Sequence, residues 1–335
     1  MSNGVFSLRD LLTFPVSRRW VYPLFALFSI LQISLFTVTY LQGQPRLLQQ
    51  VLAPLTPGRP IFERMIYGAL GEGMFDKPMA VTWSLDRIFV SDTGNRRIQV
   101  FDTAGNFLFL FGEQGSGPGQ FLFPYGLVAT ADLLYVADLY TGRISTFDFE
   151  GNFQGFFAEA ANEAGKLQSP GALLLSGDKL YVTDVRRSRV LVFALADGTL
   201  LQEIGMEEDI LAPNGVALDR AGNIYVSSAG RQRIAVYSPE GRPIRLINGT
   251  ADGHGTSALL NPRGIAVTAD GRIAVVSKLT HQLAVFDQGG SVLFTHGSMG
   301  TGLEQFSFPN GIYLDPAGRL LVTDTVNRRV AVYRW

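Results

Sequence analysis

The chain has no cysteine and only three histidines in 335 residues. Without a thiol there is no disulfide framework, no thiolate metal ligand and no cysteine nucleophile. His254, His281 and His296 fall late in the chain, at spacings that match no zinc motif. A Gly-x-Ser-x-Gly nucleophile elbow and a Gly-Lys-Ser/Thr phosphate loop are also absent. The glycine-rich stretches Gly115–Gly119 and Gly297–Gly302 precede strand-like runs, so they offer no helix N-terminus to a phosphate. They read as loops. Basic charge is scarce as well. The first 60 residues hold five Arg and one Asp, so the net −1 of the whole chain leaves about −5 for the remainder. An anionic domain lacks the cationic footprint that nucleic acid requires, and no nucleic-acid partner is expected.

Charge disappears altogether from Trp20 to Gln44. Within that stretch Val21–Leu41 is dominated by Leu, Phe, Ile and Val, long enough for one transmembrane helix at roughly 20 residues per span. Trp20, Tyr22 and Tyr40 sit at its ends, as interfacial aromatics do. A cleavable signal would have a shorter apolar region followed by a small-residue site; the expectation is an uncleaved signal anchor over 20–41. Arg9, Arg18 and Arg19 precede it and Arg46 alone closely follows, so residues 1–19 are expected in the cytoplasm and the rest outside the cell. Residues 42–60, with Pro45, Pro54, Pro57 and Pro60, read as a tether to a domain over 61–335.

That domain repeats one pattern six times. A Pro followed two residues later by a small residue opens each unit: Pro78-Met79-Ala80, Pro124-Tyr125-Gly126, Pro170-Gly171-Ala172, Pro213-Asn214-Gly215, Pro262-Arg263-Gly264 and Pro309-Asn310-Gly311. Successive prolines lie 46, 46, 43, 49 and 47 residues apart. Between them, runs of Val, Ile, Tyr and Phe alternate with Gly, Asn and Asp, the chemistry of short strands joined by tight turns. Four strands per unit at this period predict an all-β, six-bladed β-propeller with four-stranded antiparallel blades. The sixth unit ends after its third strand, while Ile61–Gly68 reads like a fourth; the N-terminal strand is expected to complete the last blade.

The units resemble the NHL-repeat family, most closely at Val90-Ser91-Asp92-Thr93-Gly94-Asn95-Arg96-Arg97-Ile98 and Val322-Thr323-Asp324-Thr325-Val326-Asn327-Arg328-Arg329-Val330. The resemblance implies a six-bladed propeller over everything after the membrane segment. Unit four carries Ser228 and unit five Lys278 where the motif has its Asp. Pro213-Asn214-Gly215 and Pro309-Asn310-Gly311 also resemble segments of gluconolactonase-like enzymes, whose asparagine oxygens help hold a divalent metal. The acidic ligand of that family corresponds to Met79 here.

Two sets of candidate residues follow. The hairpin carboxylates Asp92, Asp138, Asp184 and Asp324 recur with the repeat, so they read as structural, capping turns or pairing with a following Arg. The residue after each anchor Pro should stand at the channel rim and changes from blade to blade. Tyr125, Asn214, Arg263 and Asn310, with Ser228 and Lys278 beside them, are the candidate ligand-binding residues, on the face formed by the longer loops. The expected function is a membrane-anchored binding or scaffold module for a protein, peptide or glycan, without a cofactor. The alternative is a lactonase-like hydrolase with Ca²⁺ or Zn²⁺ in the channel.

Overall fold

The computed structural model describes residues 58–69, 71–159, 165–205, 209–250, 256–315 and 317–335. The expected membrane segment, the cytoplasmic N-terminus, almost all of the tether and His254 lie outside the described residues. Among the described residues no helix is long and apolar enough to cross a membrane.

Pro60–Trp335 forms one compact unit of six four-stranded antiparallel sheets, as the period predicts. In blade one the strands run outward from the centre as Pro78–Ser84, Arg87–Asp92, Arg97–Asp102 and Phe107–Phe111. The next four blades repeat that order, opening at Pro124, Pro170, Pro213 and Pro262. Burial explains their composition. Second strands such as Leu134–Asp138, Ile224–Ser228 and Ile273–Ser277 are buried at every residue, because each blade is covered on both faces by its neighbours. Continuous apolar runs result where a one-faced sheet would alternate. The outermost strand Phe107–Phe111 is largely exposed or half-buried.

The sixth blade is built from both ends of the domain. Ile312–Leu314, Arg319–Asp324 and Arg329–Arg334 are its inner strands, and Ile61–Ile66 is its fourth. This last strand pairs antiparallel with Arg329–Arg334, from Ile61 opposite Arg334 to Ile66 opposite Val330, with a bulge between Phe62 and Arg64. Ile66 is 2% exposed and packs with Phe75, Val81, Phe101 and Val330 between blades six and one.

The small residue of the Pro-x-small signature has a steric cause. A Cβ added at Gly126 would lie 2.1 Å from the Gly171 carbonyl, and one at Gly311 would lie 2.5 Å from that of Met79. The innermost strands approach backbone to backbone, and the narrow channel depends on that. The two glycine-rich stretches are inter-blade loops, as expected. In each a glutamine folds back on the loop, Gln120 accepting from Gly117 N and Gln305 from Gly302 N, both at 3.0 Å. The following Phe121 and Phe306 plug the seam between blades.

Candidate functional site

In blades one and six the channel rim is positioned by three consecutive residues at the start of the second hairpin. In blade one the Ser91 hydroxyl donates to the Tyr125 carbonyl of blade two at 3.0 Å, and the Thr93 hydroxyl donates to the Pro124 carbonyl at 2.6 Å. Between them Asp92, fully buried, accepts from Asp76 N at 2.6 Å, Arg97 Nε at 2.8 Å and Gln99 Nε2 at 2.8 Å. Blade six repeats this toward blade one: Thr323 reaches the Met79 carbonyl at 3.1 Å, Thr325 the Pro78 carbonyl at 2.9 Å, and Asp324 accepts from Ser307 N and Arg329 Nε. The hydroxyls rivet adjacent blades, and the carboxylate staples the incoming loop to the hairpin. Asp138 accepts from Leu122 N and Phe123 N, and Asp184 from Gln168 N and Ser169 N. All four carboxylates thus hold the loop that enters their own blade; Asp138 also caps its own hairpin, accepting from Tyr140 N and Thr141 N, and the other three pair with the Arg five residues on.

The repeat register corrects one sequence expectation. Pro78 pairs with Asp92 and Pro213 with Ser228, but Pro262 pairs with Ser277. Ser277, not Lys278, therefore stands at the Asp position of blade five. Its hydroxyl and that of Ser228 take over the carboxylate's task, accepting from Leu260 N at 3.0 Å and Leu211 N at 2.9 Å. Lys278 occupies the next position, equivalent to Thr93 and Thr325, which face the first residues of the following blade.

Four of the predicted rim residues meet across the channel. The Tyr125 hydroxyl donates to Asn214 Oδ1 at 3.0 Å and accepts from Asn310 Nδ2 at 3.1 Å. Asn310 Nδ2 also donates to the Met79 carbonyl at 2.9 Å. The Asn214 oxygen accepts from Arg263 Nη1, and its amide donates to the Ala212 carbonyl at 2.7 Å. Tyr125, Asn214 and Asn310 are each buried. Arg263 is half-buried, and its Nε hydrogen points into the protein without an acceptor. The rim is a closed polar bar, with a cavity of only about 70 Å³ beside it, walled by Val81, Leu127, Val216 and Ile265. Ser228 lies outside this bar, committed to the Leu211 backbone.

Lys278 is half-buried beside the bar. Burial depresses its pKa, and the charge of Arg263 depresses it further. Desolvation and a like charge both oppose its protonated form. Of the two described histidines, His281 uses Nδ1 to accept from Phe308 N at 3.1 Å, and His296 is buried against Phe306 and Tyr333.

The donor set does not fit a divalent metal. Asn214 and Asn310 supply amide oxygens, but both already face the Tyr125 hydroxyl. A guanidinium nitrogen of Arg263 stands 2.5 Å from the Asn214 oxygen, where a second cation would be repelled. No carboxylate belongs to the bar, and no group of three His, Asp or Glu side chains gathers elsewhere among the described residues. Hard cations need several oxygen ligands, usually including carboxylates.

The opposite face carries a larger hollow that sequence reasoning missed, a funnel of about 590 Å³ formed by the turns between first and second strands. Leu174, Leu218, Val267, Leu314 and Trp335 give it apolar walls. The carboxylates at its edge are held by their own turns: Asp219 accepts from Asn223 N at 2.9 Å, and Asp315 from Arg319 N at 2.7 Å. The turn signals legible in the sequence disguised residues that also line a cavity.

The chain resembles several known proteins in fold. Its architecture is that of the six-bladed propellers: residues 72–157 match the model of a family described as a 6-bladed beta-propeller. Within that class, residues 306–333 match the NHL repeat. Protein brain tumor of Drosophila melanogaster is 29% identical over 130 residues, and human NHL repeat-containing protein 3 is 34% identical over 104 residues. These stretches cover 38% and 29% of this chain, but only 12% and 30% of the two relatives. Among solved structures, a gluconolactonase from Xanthomonas campestris superposes with a TM-score of 0.61 at 16% identity, over 82% of this chain and 94% of that one. A virginiamycin B lyase from Staphylococcus aureus gives 0.57 at 13% identity, over 80% and 83%. At such identities the likeness is one of fold.

Proposed function

We propose that this protein is a single-pass, membrane-anchored binding module, whose propeller presents its loop face outside the cell to a protein, peptide or glycan. The observation that carries the reading is the rim itself. Tyr125, Asn214, Arg263 and Asn310 are locked to one another, an arrangement suited to recognition by a rigid surface. A hydrolase of the gluconolactonase kind would need a metal, and the Arg263 guanidinium on Asn214 opposes one. The fold is compatible with many functions, so the argument rests on these residues.

Anchoring is supported by the uncharged stretch from Trp20 and by Arg18 and Arg19 before it. In this reading residues 1–19 are cytoplasmic, 20–41 span the bilayer, and 42–60 tether the propeller. The natural absence of cysteine makes the orientation easy to test. Cysteine introduced at exposed Ser116 is expected to react with a membrane-impermeant maleimide on intact cells. Cysteine at Ser7 is expected to react only after permeabilisation. The opposite pattern would put the propeller in the cytoplasm.

The binding reading is tested against the enzymatic one with the full chain in detergent and a panel of lactones, in the presence of Ca²⁺ or Zn²⁺. No turnover above buffer is expected. Metal-dependent hydrolysis that disappears in Asn214→Ala would overturn the binding reading.

A further inference from the structure

Around the polar bar the loop face carries exposed apolar residues, set among the hairpin arginines Arg143, Arg186, Arg231 and Arg328. Leu211, Leu260, Leu279, Tyr140 and Val326 all belong to inter-blade loops or second hairpins, and all are exposed, Tyr140 at 67% and Leu279 at 50%. Leu260 and Leu279 are joined by a backbone hydrogen bond from Leu279 N at 3.1 Å, so they form one ridge directly beside Lys278. Phe123 lies beneath Tyr140, with ring centroids 4.7 Å apart. Contiguous apolar residues surrounding a polar centre mark interaction sites more often than free surface.

The centre of this ring is cationic. Pro262 pairs with Ser277, which sets Arg263 and Lys278 side by side; the Arg263 charge disfavours that of Lys278, and neither is paired with a carboxylate among the described residues. Other arginines lie on the surrounding hairpins, and what sets Arg263 and Lys278 apart is their recess beside the polar bar. Both are half-buried, and one Arg263 donor is already without an acceptor. Two partly desolvated like charges are uncomfortable alone and are relieved by an anion.

We propose that the loop face docks an acidic–aliphatic segment of a partner protein, with a side-chain or terminal carboxylate seated on Arg263 and Lys278 and flanking aliphatic side chains on the Leu260–Leu279 ridge, Leu211 and Val326. The proposal rests on the binding-module reading and specifies its ligand. Size favours a protruding group over a free metabolite. The cavity beside the bar, about 70 Å³, is well below the 300–1,000 Å³ typical of small-molecule sites. A bilayer is disfavoured as the partner, because Arg263 and Lys278 are half-buried and out of reach of a flat headgroup layer. A fully desolvated charge pair at the middle of an apolar ring is the arrangement of an interface hot spot.

The test uses the full chain in detergent and a random dodecapeptide phage library. Enriched peptides should share an Asp or Glu flanked by aliphatic residues. Their affinity should fall about 30-fold or more for the Arg263→Gln, Lys278→Gln double variant, and for peptides with Gln in place of Glu or Asn in place of Asp. A Lys179→Gln control should bind normally. The chain has only four lysines, Lys77, Lys166, Lys179 and Lys278, so acylation can be followed at each by mass spectrometry. Bound peptide should slow acylation of Lys278 alone, an outcome read on the unaltered protein and independent of how the double variant folds. Equal protection by free glutarate would mean a small-anion receptor, and protection by phosphatidylserine vesicles a lipid surface; either overturns the proposal. Enriched peptides without an acidic preference, or insensitive to both substitutions, would also overturn it while leaving the binding-module reading intact. Metal-dependent lactone turnover would remove both.

Discussion

A chain that begins at Gly58 is expected to fold cooperatively, whereas one that begins at Gly71 is expected to melt at least about 10 °C lower or to aggregate. The two differ by one strand, Ile61–Ile66, and the short link after it. That strand supplies five residue pairs to Arg329–Arg334 and buries Ile66 in the seam between blades six and one. Truncating one buried isoleucine to alanine typically costs about 2–5 kcal/mol. Removing the whole strand also strips the partly buried Phe62 and Met65 from the packing around Tyr333. Each kcal/mol is worth roughly 2–4 °C in a domain of about this size. The exposed flank of Arg329–Arg334 would then be a free sheet edge, a template for pairing between molecules. Differential scanning fluorimetry and light scattering on the two truncated chains measure both effects. Equal midpoints would mean that blade six holds together with three strands and that the closure contributes little.

The closure was legible in the sequence because a propeller counts its strands. A sixth unit with three strands and a preceding orphan strand have one economical solution in a ring. The blades were legible for a similar reason: Pro, small residue, strand and turn recur at one period, so each weak local signal is repeated six times. Lys278 was misplaced by one residue, although the first turn of blade five keeps the spacing of blade four, with Thr268 in place of Asp219. Thr268 accepts from Arg272 N, as Asp219 does from Asn223 N. Only the pairing of Pro262 with Ser277 fixes the register.

The rim positions were also legible, since each follows its Pro. What the sequence could not reveal is that Tyr125 bonds to Asn214 and Asn310, residues 89 and 185 positions away. Whether such residues meet depends on the diameter of the ring, set by six seams where Gly or Ala lets backbones touch. A tyrosine is long enough to bridge that diameter and an asparagine is not. The bar therefore follows from one large residue in one blade, information that no single repeat carries. The cationic sector has the same origin. Arg263 lies on the first strand of blade five and Lys278 just past the end of the second, and the effect of one charge on the other depends on the recess around them.

Replacing Arg329 by methionine is expected to cost about 3–5 kcal/mol, because it leaves a buried carboxylate without its cation. Arg329 is 3% exposed and Asp324 is fully buried. Arg329 Nε donates to Asp324 at 2.8 Å, and its two terminal nitrogens donate to the carbonyls of Thr301, Gly302 and Gln305 at 2.7–2.9 Å. The substitution thus orphans one charge and three backbone acceptors of the loop between blades five and six. Burial already raises the Asp324 pKa, with hydrogen bonds from Ser307, Asn327 and Arg329 opposing the rise. Loss of Arg329 raises it further. A carboxyl group with a folded pKa above its unfolded value favours the fold below the unfolded pKa and loses that contribution as pH rises through the folded one. The deficit of Arg329→Met relative to the parent is therefore expected to be larger at pH 7.5 than at pH 5, measured by urea unfolding. Adding Asp324→Asn should recover part of the loss at neutral pH. Blade four supplies the converse experiment: Ser228 pairs with Arg233 across the hairpin, but the Arg233 Nε is buried without an acceptor. Ser228→Asp should give it one and raise the unfolding midpoint. A pH-independent deficit in the first variant, together with a destabilised second one, would mean that the carboxylate–arginine staple is replaceable packing and not the electrostatic lock of the loop face.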